Sequence, residues 1–184
     1  MRRLIAFISF MFLSFSVSAI ELGGIDMPDT IEADGQELML NGAGIRSKFV
    51  FDLYVAGLYL IAKEHDAEKI IKSTEPMALR LHIISSKITS KRMIHATRKG
   101  FKKATGGNIE PIAAEIEQFL EAFSDEIIKG DVFEFIATNQ GVVVSKNRVE
   151  LQTISSAEFK QALFGIWLSE KPVKTKLKKK LLGG

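Results

Sequence analysis

Arg46 is the side chain that most needs a chemical explanation. It follows the glycine-rich stretch Asn41-Gly42-Ala43-Gly44 and precedes the apolar run Phe49–Leu60. A guanidinium cannot shed its charge, so in such a setting it requires an anion or several hydrogen-bond acceptors. Two readings stand side by side. Arg46 could anchor an anionic ligand, or Asp52 could satisfy it as a purely structural partner.

Other chemistries find less support. Gly42 and Gly44 are not a dinucleotide fingerprint, because no third glycine follows at the right spacing and a strand, not a helix, comes next. The three histidines, His65, His82 and His95, lack metal-ligand spacing. Ser85-Ser86 and Ser155-Ser156 lie in no Gly-x-Ser-x-Gly elbow. The absence of cysteine excludes a thiol nucleophile and Cys-ligated zinc or iron–sulfur centres. No metal and no cofactor is expected.

The elements that must position Arg46 can be read from periodicity. Thr30–Leu40 reads as two strand pieces about an Asp34-Gly35 turn. Residues 41–44 must bend, or let something approach the backbone closely. Phe49–Leu60 alternates with period two, both faces being largely apolar, as for a strand covered on both sides. A short helix capped by Asp66 and a strand over Ala78–Ile84 follow. The next helix starts at Thr89 or Ser90 and ends at Gly106-Gly107. Its neighbour carries Pro111 in its first turn and apolar residues through Ile127. Residues 87–103 hold seven Lys/Arg and no acid, and residues 110–126 hold six Asp/Glu and no base. These two helices are expected to lie together and balance each other, rather than to present a phosphate-binding face. A hairpin about Asn139-Gln140-Gly141 and a last helix capped by Ser155 or Ser156 complete the reading. Strands, helices, hairpin, helix is the order of an α+β fold: a large antiparallel sheet packed against a layer of α-helices.

The chain of 184 residues is long enough for one domain with a substantial core, expected over 20–184. Arg2 and Arg3, the apolar run Leu4–Val17 and the small residues Val17-Ser18-Ala19 form a secretion-signal pattern with cleavage after Ala19. A periplasmic or secreted protein, with no transmembrane segment after cleavage, is expected. The body, residues 20–170, has 17 basic and 22 acidic residues, and the tail after Glu170 has six lysines and no acid. An acidic body argues against nucleic acid as a partner.

Leu40-Asn41-Gly42-Ala43-Gly44-Ile45-Arg46 and Val55-Ala56-Gly57-Leu58-Tyr59-Leu60 resemble the Gly-x-Gly-x-Arg and Gly-x-Tyr-Leu signatures of the chalcone isomerase-like family. Phe164–Leu168 through Lys171-Pro172-Val173 is similar to that family's closing helix and exit. The resemblance, specifically to secreted bacterial members, implies an open-faced β-sandwich. It also implies that Arg46 matches the arginine that holds a phenolate in the isomerases. Tyr54 falls where the isomerases have a threonine and where fatty-acid-binding relatives have a tyrosine that grips a carboxylate with the arginine. Thr89, Arg92 and Ala96 fall near the isomerases' tyrosine, lysine and asparagine, and Gly165 on their last threonine. The implied function is a binder of a small amphipathic anion, a fatty acid or phenolic acid, through Arg46, Tyr54, Thr89 and Arg92. The alternative is an isomerase or intramolecular lyase in which Arg46 stabilises an oxyanion. Arg46 and Tyr54 are eight residues apart, so they can share a ligand only if the chain turns between them, with Ser47-Lys48 the expected place.

Overall fold

The computed structural model describes residues 20–184; the expected secretion signal lies outside the described residues. The chain begins with a small hairpin, β1 (Ile20–Leu22) and β2 (Ile25–Met27). Then come β3 (Thr30–Ala33), β4 (Gln36–Lys48), β5 (Phe51–Leu60), α1 (Ala67–Lys72) and β6 (Met77–Ile83). α2 (Ser90–Ala104) and α3 (Ala113–Glu121) follow, then β7 (Val132–Thr138), β8 (Gly141–Lys146), β9 (Val149–Ile154), α4 (Ala157–Leu168) and α5 (Thr175–Leu181). Strands β3 to β9 pair in sequence order, every pair antiparallel, in one seven-stranded sheet. The helices cover one face of it, so the α+β reading holds.

Local chemistry explains the helix starts. Asp66 accepts from the amides of Glu68 and Lys69, Thr89 from Arg92, and Ser156 from Phe159. Each side chain satisfies amides that the first turn leaves without partners. α2 and α3 do lie together, joined by the bidentate Arg98–Glu117 pair. Between sheet and helices, Phe101, Phe119, Phe123, Phe133, Phe135 and Phe159 are fully buried. Their rings meet largely edge to face, as Phe119 does with Phe135 at 5.1 Å. α4 is the central helix, buried from Ala162 to Leu168. Glycine permits its crossing of α2: a Cβ on Gly100 would lie 2.9 Å from Ile166, and one on Gly165 would lie 3.2 Å from Ala104.

The other face of the sheet is covered near β5 by the β1–β2 hairpin. Met27, Leu38, Leu40, Val55, Tyr59 and Ala78 form a second, smaller core there. β5 is thus covered on both sides, as its two apolar faces require.

Two expectations are corrected, and a third is settled between its alternatives. The turn between β4 and β5 falls at Phe49-Val50, not Ser47-Lys48, so β5 begins at Phe51. Of the two alternatives for residues 41–44, the close approach is the one realised: they lie within β4, which has a register irregularity between Leu40 and Gly42, and the C-terminal residues Leu177 and Lys180 come against Gly42 and Gly44. The acidic helix is short: a 3₁₀ turn at Glu110–Ile112 leads into α3, which ends at Glu121, and Ile127 is buried from the loop beyond.

Candidate ligand-binding site

The turn at Phe49-Val50 places Arg46 directly opposite Tyr54 in the β4–β5 ladder. The next pair is Ser47 with Asp52, so Leu53 is an extra residue in β5, a bulge that lets the ladder keep both pairs. Side chains of directly paired residues start about 5 Å apart. Eight residues of sequence separation therefore become one cross-strand contact.

Tyr54 belongs to the helix-side core with Ala56 and Leu58. Its hydroxyl accepts the indole N–H of Trp167, on α4, at 3.0 Å. Burial pushes the phenol up to about 12, although the Trp167 hydrogen bond and the Arg46 charge both pull the other way. Tyr54 is therefore a neutral hydroxyl at physiological pH. Its own proton has no acceptor among the described residues, so it can be donated.

Arg46 is half-buried and donates to the carbonyl of Ser47. Asp52 does not pair with it; that carboxylate accepts from Ser47 Oγ at 2.7 Å. Among the described residues no carboxylate forms a salt bridge with Arg46. The structural-partner reading of Arg46 through Asp52 is thus not realised.

The glycines before Arg46 serve as a notch for α5. A Cβ on Gly42 would stand 2.1 Å from the Lys180 carbonyl oxygen, and one on Gly44 would stand 2.8 Å from Lys180 Cβ and 3.0 Å from Leu177. Only bare backbone lets the helix approach this closely. Asn41 completes the attachment, its amide donating to the carbonyls of Leu181 and Glu64 at 2.9 Å each. Leu177 and Leu181 are buried beneath α5, and the lysine-rich tail is thus a docked amphipathic helix rather than a merely solvated end. Gly42, Gly44 and Arg46 alternate along one strand, so Arg46 lies on the α5 side, just beyond the notch.

Thr89 and Arg92 stand apart from this pair and meet each other. Thr89 Oγ1 accepts from the Arg92 amide, and the Arg92 guanidinium donates to the Lys87 carbonyl at 2.8 Å. Both side chains are exposed, in the segment that follows β6, the strand whose Ile83 pairs with Tyr54. Thr89 helps to line a cavity of about 360 Å³ with Ile88, Lys91, Ile127 and Lys129. A second cavity, about 180 Å³, lies by Leu60, Ile70 and Met77. Neither adjoins Arg46 or Tyr54.

His82 pairs with Val55, which places it on the sheet face opposite Tyr54. His65 Nδ1 is 2.6 Å from the Leu182 carbonyl oxygen. Among the described residues no three metal-ligating side chains cluster. Trp167 is the site residue that the sequence marks only as part of the closing helix, Phe164–Leu168. The available signal was the need of a buried indole N–H for an acceptor, but nothing in the sequence says that the acceptor is Tyr54.

The fold has known counterparts. The crystal structure of a fatty-acid binding protein of Arabidopsis thaliana superposes with a TM-score of 0.70 over 90% of this chain and 96% of that one, at 14% identity. No curated protein matches in sequence. Residues 19–183 match the family described as chalcone isomerase-like, almost the whole length of the fold just described. By that match, the chain belongs to the chalcone isomerase-like family.

Proposed function

We propose that this protein is a non-catalytic binder of a small amphipathic anion, a fatty acid or a phenolic acid, and that Arg46 and Tyr54 hold its acid group. The observation that carries the reading is the pairing of these two residues across β4 and β5. A guanidinium without a carboxylate partner sits opposite a buried hydroxyl whose proton is unclaimed and whose oxygen Trp167 fixes. Such a pair offers a carboxylate two charge-assisted hydrogen bonds from a partly dry site. The likeness in fold to a fatty-acid binding protein is consistent with this ligand class.

Neither of the two cavities adjoins the pair, and Tyr54 is packed in the helix-side core; in this proposal the apolar part of the ligand takes the place of side chains packed there. α5 is the element that lies over this part of β4. It has seven residues and is held by Leu177, Leu181, the Asn41 hydrogen bond, the His65 contact with the Leu182 carbonyl and the Lys178 bond to Ser169. In this proposal it lifts from its glycine notch to admit the ligand, and Thr89 and Arg92 flank the entrance at the end of the sheet.

Catalysis is not proposed, for reasons of geometry. Tyr54 keeps its proton at neutral pH, and His82 faces away from the pair. Ala96 is exposed on α2, and Gly165 is committed to the α2–α4 crossing, so neither supplies the hydrogen bonds of a cyclising site. We also propose that the protein is bacterial and acts in the periplasm or outside the cell, on the strength of Arg2, Arg3 and the apolar run to Val17.

Solvent extraction and mass spectrometry of the secreted protein test both points. A stoichiometric acid that is present in the parent and absent from Arg46→Gln supports the clamp, and an N-terminus at Ile20 supports secretion. A ligand-free parent that also fails to take up added palmitate or a phenolic acid would refute the binding reading.

A further inference from the structure

The β4–β5 turn is built against the interests of the fold. It is a two-residue hairpin loop, Phe49-Val50, between the paired residues Lys48 and Phe51. Its first position has φ of 55°, a conformation that such loops normally give to glycine. The occupant is a phenylalanine that is 90% exposed, followed by a valine that is 88% exposed. Neither side chain packs in either core, so the folded state gains nothing from them. A residue choice that opposes both the turn and solubility points to a use outside the fold.

The surroundings say what the use is. Leu53 bonds to Ile84 and Ile83 bonds to Gly130, so the β4–β5 turn, the start of the β6–α2 segment and the loop before β7 lie side by side at one end of the sheet. The β8–β9 turn is at the same end, since Asn147 bonds to Val132. Of the eight large apolar side chains exposed among the described residues, five are here: Phe49, Val50, Phe51, Ile128 and Val149. Cations accompany them. Lys48 Nζ lies 6.0 Å from the Phe49 ring centroid and Lys87 Nζ lies 5.4 Å from that of Phe51. Lys129 and Arg148 are exposed in the adjoining loops. The local acids are Asp52, held by Ser47, Asp125 and Glu126 in the loop before β7, Asp131, held by Asn147 and Lys146, and Glu150 beside Val149; the cations beside the Phe49 and Phe51 rings themselves are Lys48 and Lys87. An apolar tip with two ammonium groups beside its rings has the chemistry of a membrane-interface anchor, with rings entering the acyl boundary and ammonium groups reaching the phosphates.

We infer that this end of the sheet docks on an anionic phospholipid bilayer, with Phe49 and Val50 inserted and Lys48 and Lys87 on the headgroups. Among the described residues no helix is long and apolar enough to cross a membrane, so the contact is interfacial. The inference stands apart from the Arg46–Tyr54 clamp.

The test uses residues 20–184, which hold both cores, so that the apolar run at 4–17 adds no lipid affinity. Flotation with phosphatidylcholine vesicles, with and without phosphatidylglycerol, measures partitioning in the absence of fatty acid. The parent is expected to bind the anionic vesicles preferentially and to be released as salt rises. Phe49→Gly with Val50→Asn should lower partitioning about tenfold or more and raise the melting temperature, because it relieves the turn. Lys48→Gln and Lys87→Gln should each cost about fivefold on anionic vesicles only. Arg46→Lys should bind vesicles as the parent does, even where it loses fatty acid. Absence of parent binding, or equal binding by the Phe49/Val50 variant, overturns the inference. So does a parent that dimerises through this tip in sedimentation and ignores vesicles, which would make a second copy the occupant.

Discussion

Arg46 and Tyr54 are direct partners in the β4–β5 ladder, and the Tyr54 hydroxyl is held from behind by the Trp167 indole at 3.0 Å. The arrangement separates two tasks. The strands set the spacing of charge and hydroxyl, and α4 sets the rotation of the phenol. A ligand acid group would meet donors whose positions are fixed before it arrives, which is the condition under which a hydrogen bond contributes most to affinity.

The phenol's environment has a spectroscopic consequence. The chain has two tyrosines, and burial raises both, Tyr54 to about 12. Phenolate absorbance should therefore be nearly absent from the native protein at pH 10.5, where an unfolded chain is more than half ionised. The sign of the stability effect follows. A raised folded value stabilises the native state fully below pH 10, and the contribution is lost as pH rises through 12. A native phenolate titration near pH 10 that is present in the parent and absent from Tyr54→Phe would show that Tyr54 is not enclosed.

The Tyr54–Trp167 bond should appear as coupling. Tyr54→Phe leaves a buried indole N–H without an acceptor and should cost ~1–3 kcal/mol of stability. Trp167→Phe removes the donor and some packing, at a similar cost. The double variant should cost clearly less than the sum, because it removes the pair together. Strict additivity in denaturant unfolding would contradict the hydrogen bond.

The glycine notch predicts a conditional effect. Gly42→Ala puts a methyl group against the Lys180 carbonyl and should destabilise the protein by ~1–3 kcal/mol. In a chain truncated after Lys174, where α5 is gone, the same change should cost under ~0.5 kcal/mol. An equal cost in both backgrounds would show that the glycine serves the strand and not the helix.

These elements also mark how far the sequence could be read. The period-two alternation of Phe51–Leu60, the caps Asp66, Thr89 and Ser156, and the opposed charges of α2 and α3 are local patterns, and each appears in the structure as its chemistry requires. The turn at Phe49-Val50 was not legible, because no glycine, asparagine or proline marks it. Gly42 and Gly44 did announce a bend or a close approach, but the approaching element is α5, more than 130 residues later. The outer hairpin β1–β2 and the edge strand β9 lie in short segments with weak alternation. Arg46 was legible as a charge in need of a partner. That Asp52 would be taken by Ser47, and that Trp167 would claim the oxygen of Tyr54, depends on a register that only the folded chain defines.

The central claim is that Arg46 is free to anchor a ligand acid. The most direct measurement is fatty-acid affinity of the parent and Arg46→Lys, read from the fluorescence of Trp167, the only tryptophan, beside thermal unfolding of the same two proteins. A guanidinium presents a planar fork that an ammonium cannot, and a charged hydrogen bond of this kind is worth ~1.5–3 kcal/mol. The account predicts that Arg46→Lys binds about ten- to a hundredfold more weakly and melts within a few degrees of the parent. A variant that melts far below the parent while binding palmitate equally well would contradict it, and would make Arg46 a structural residue.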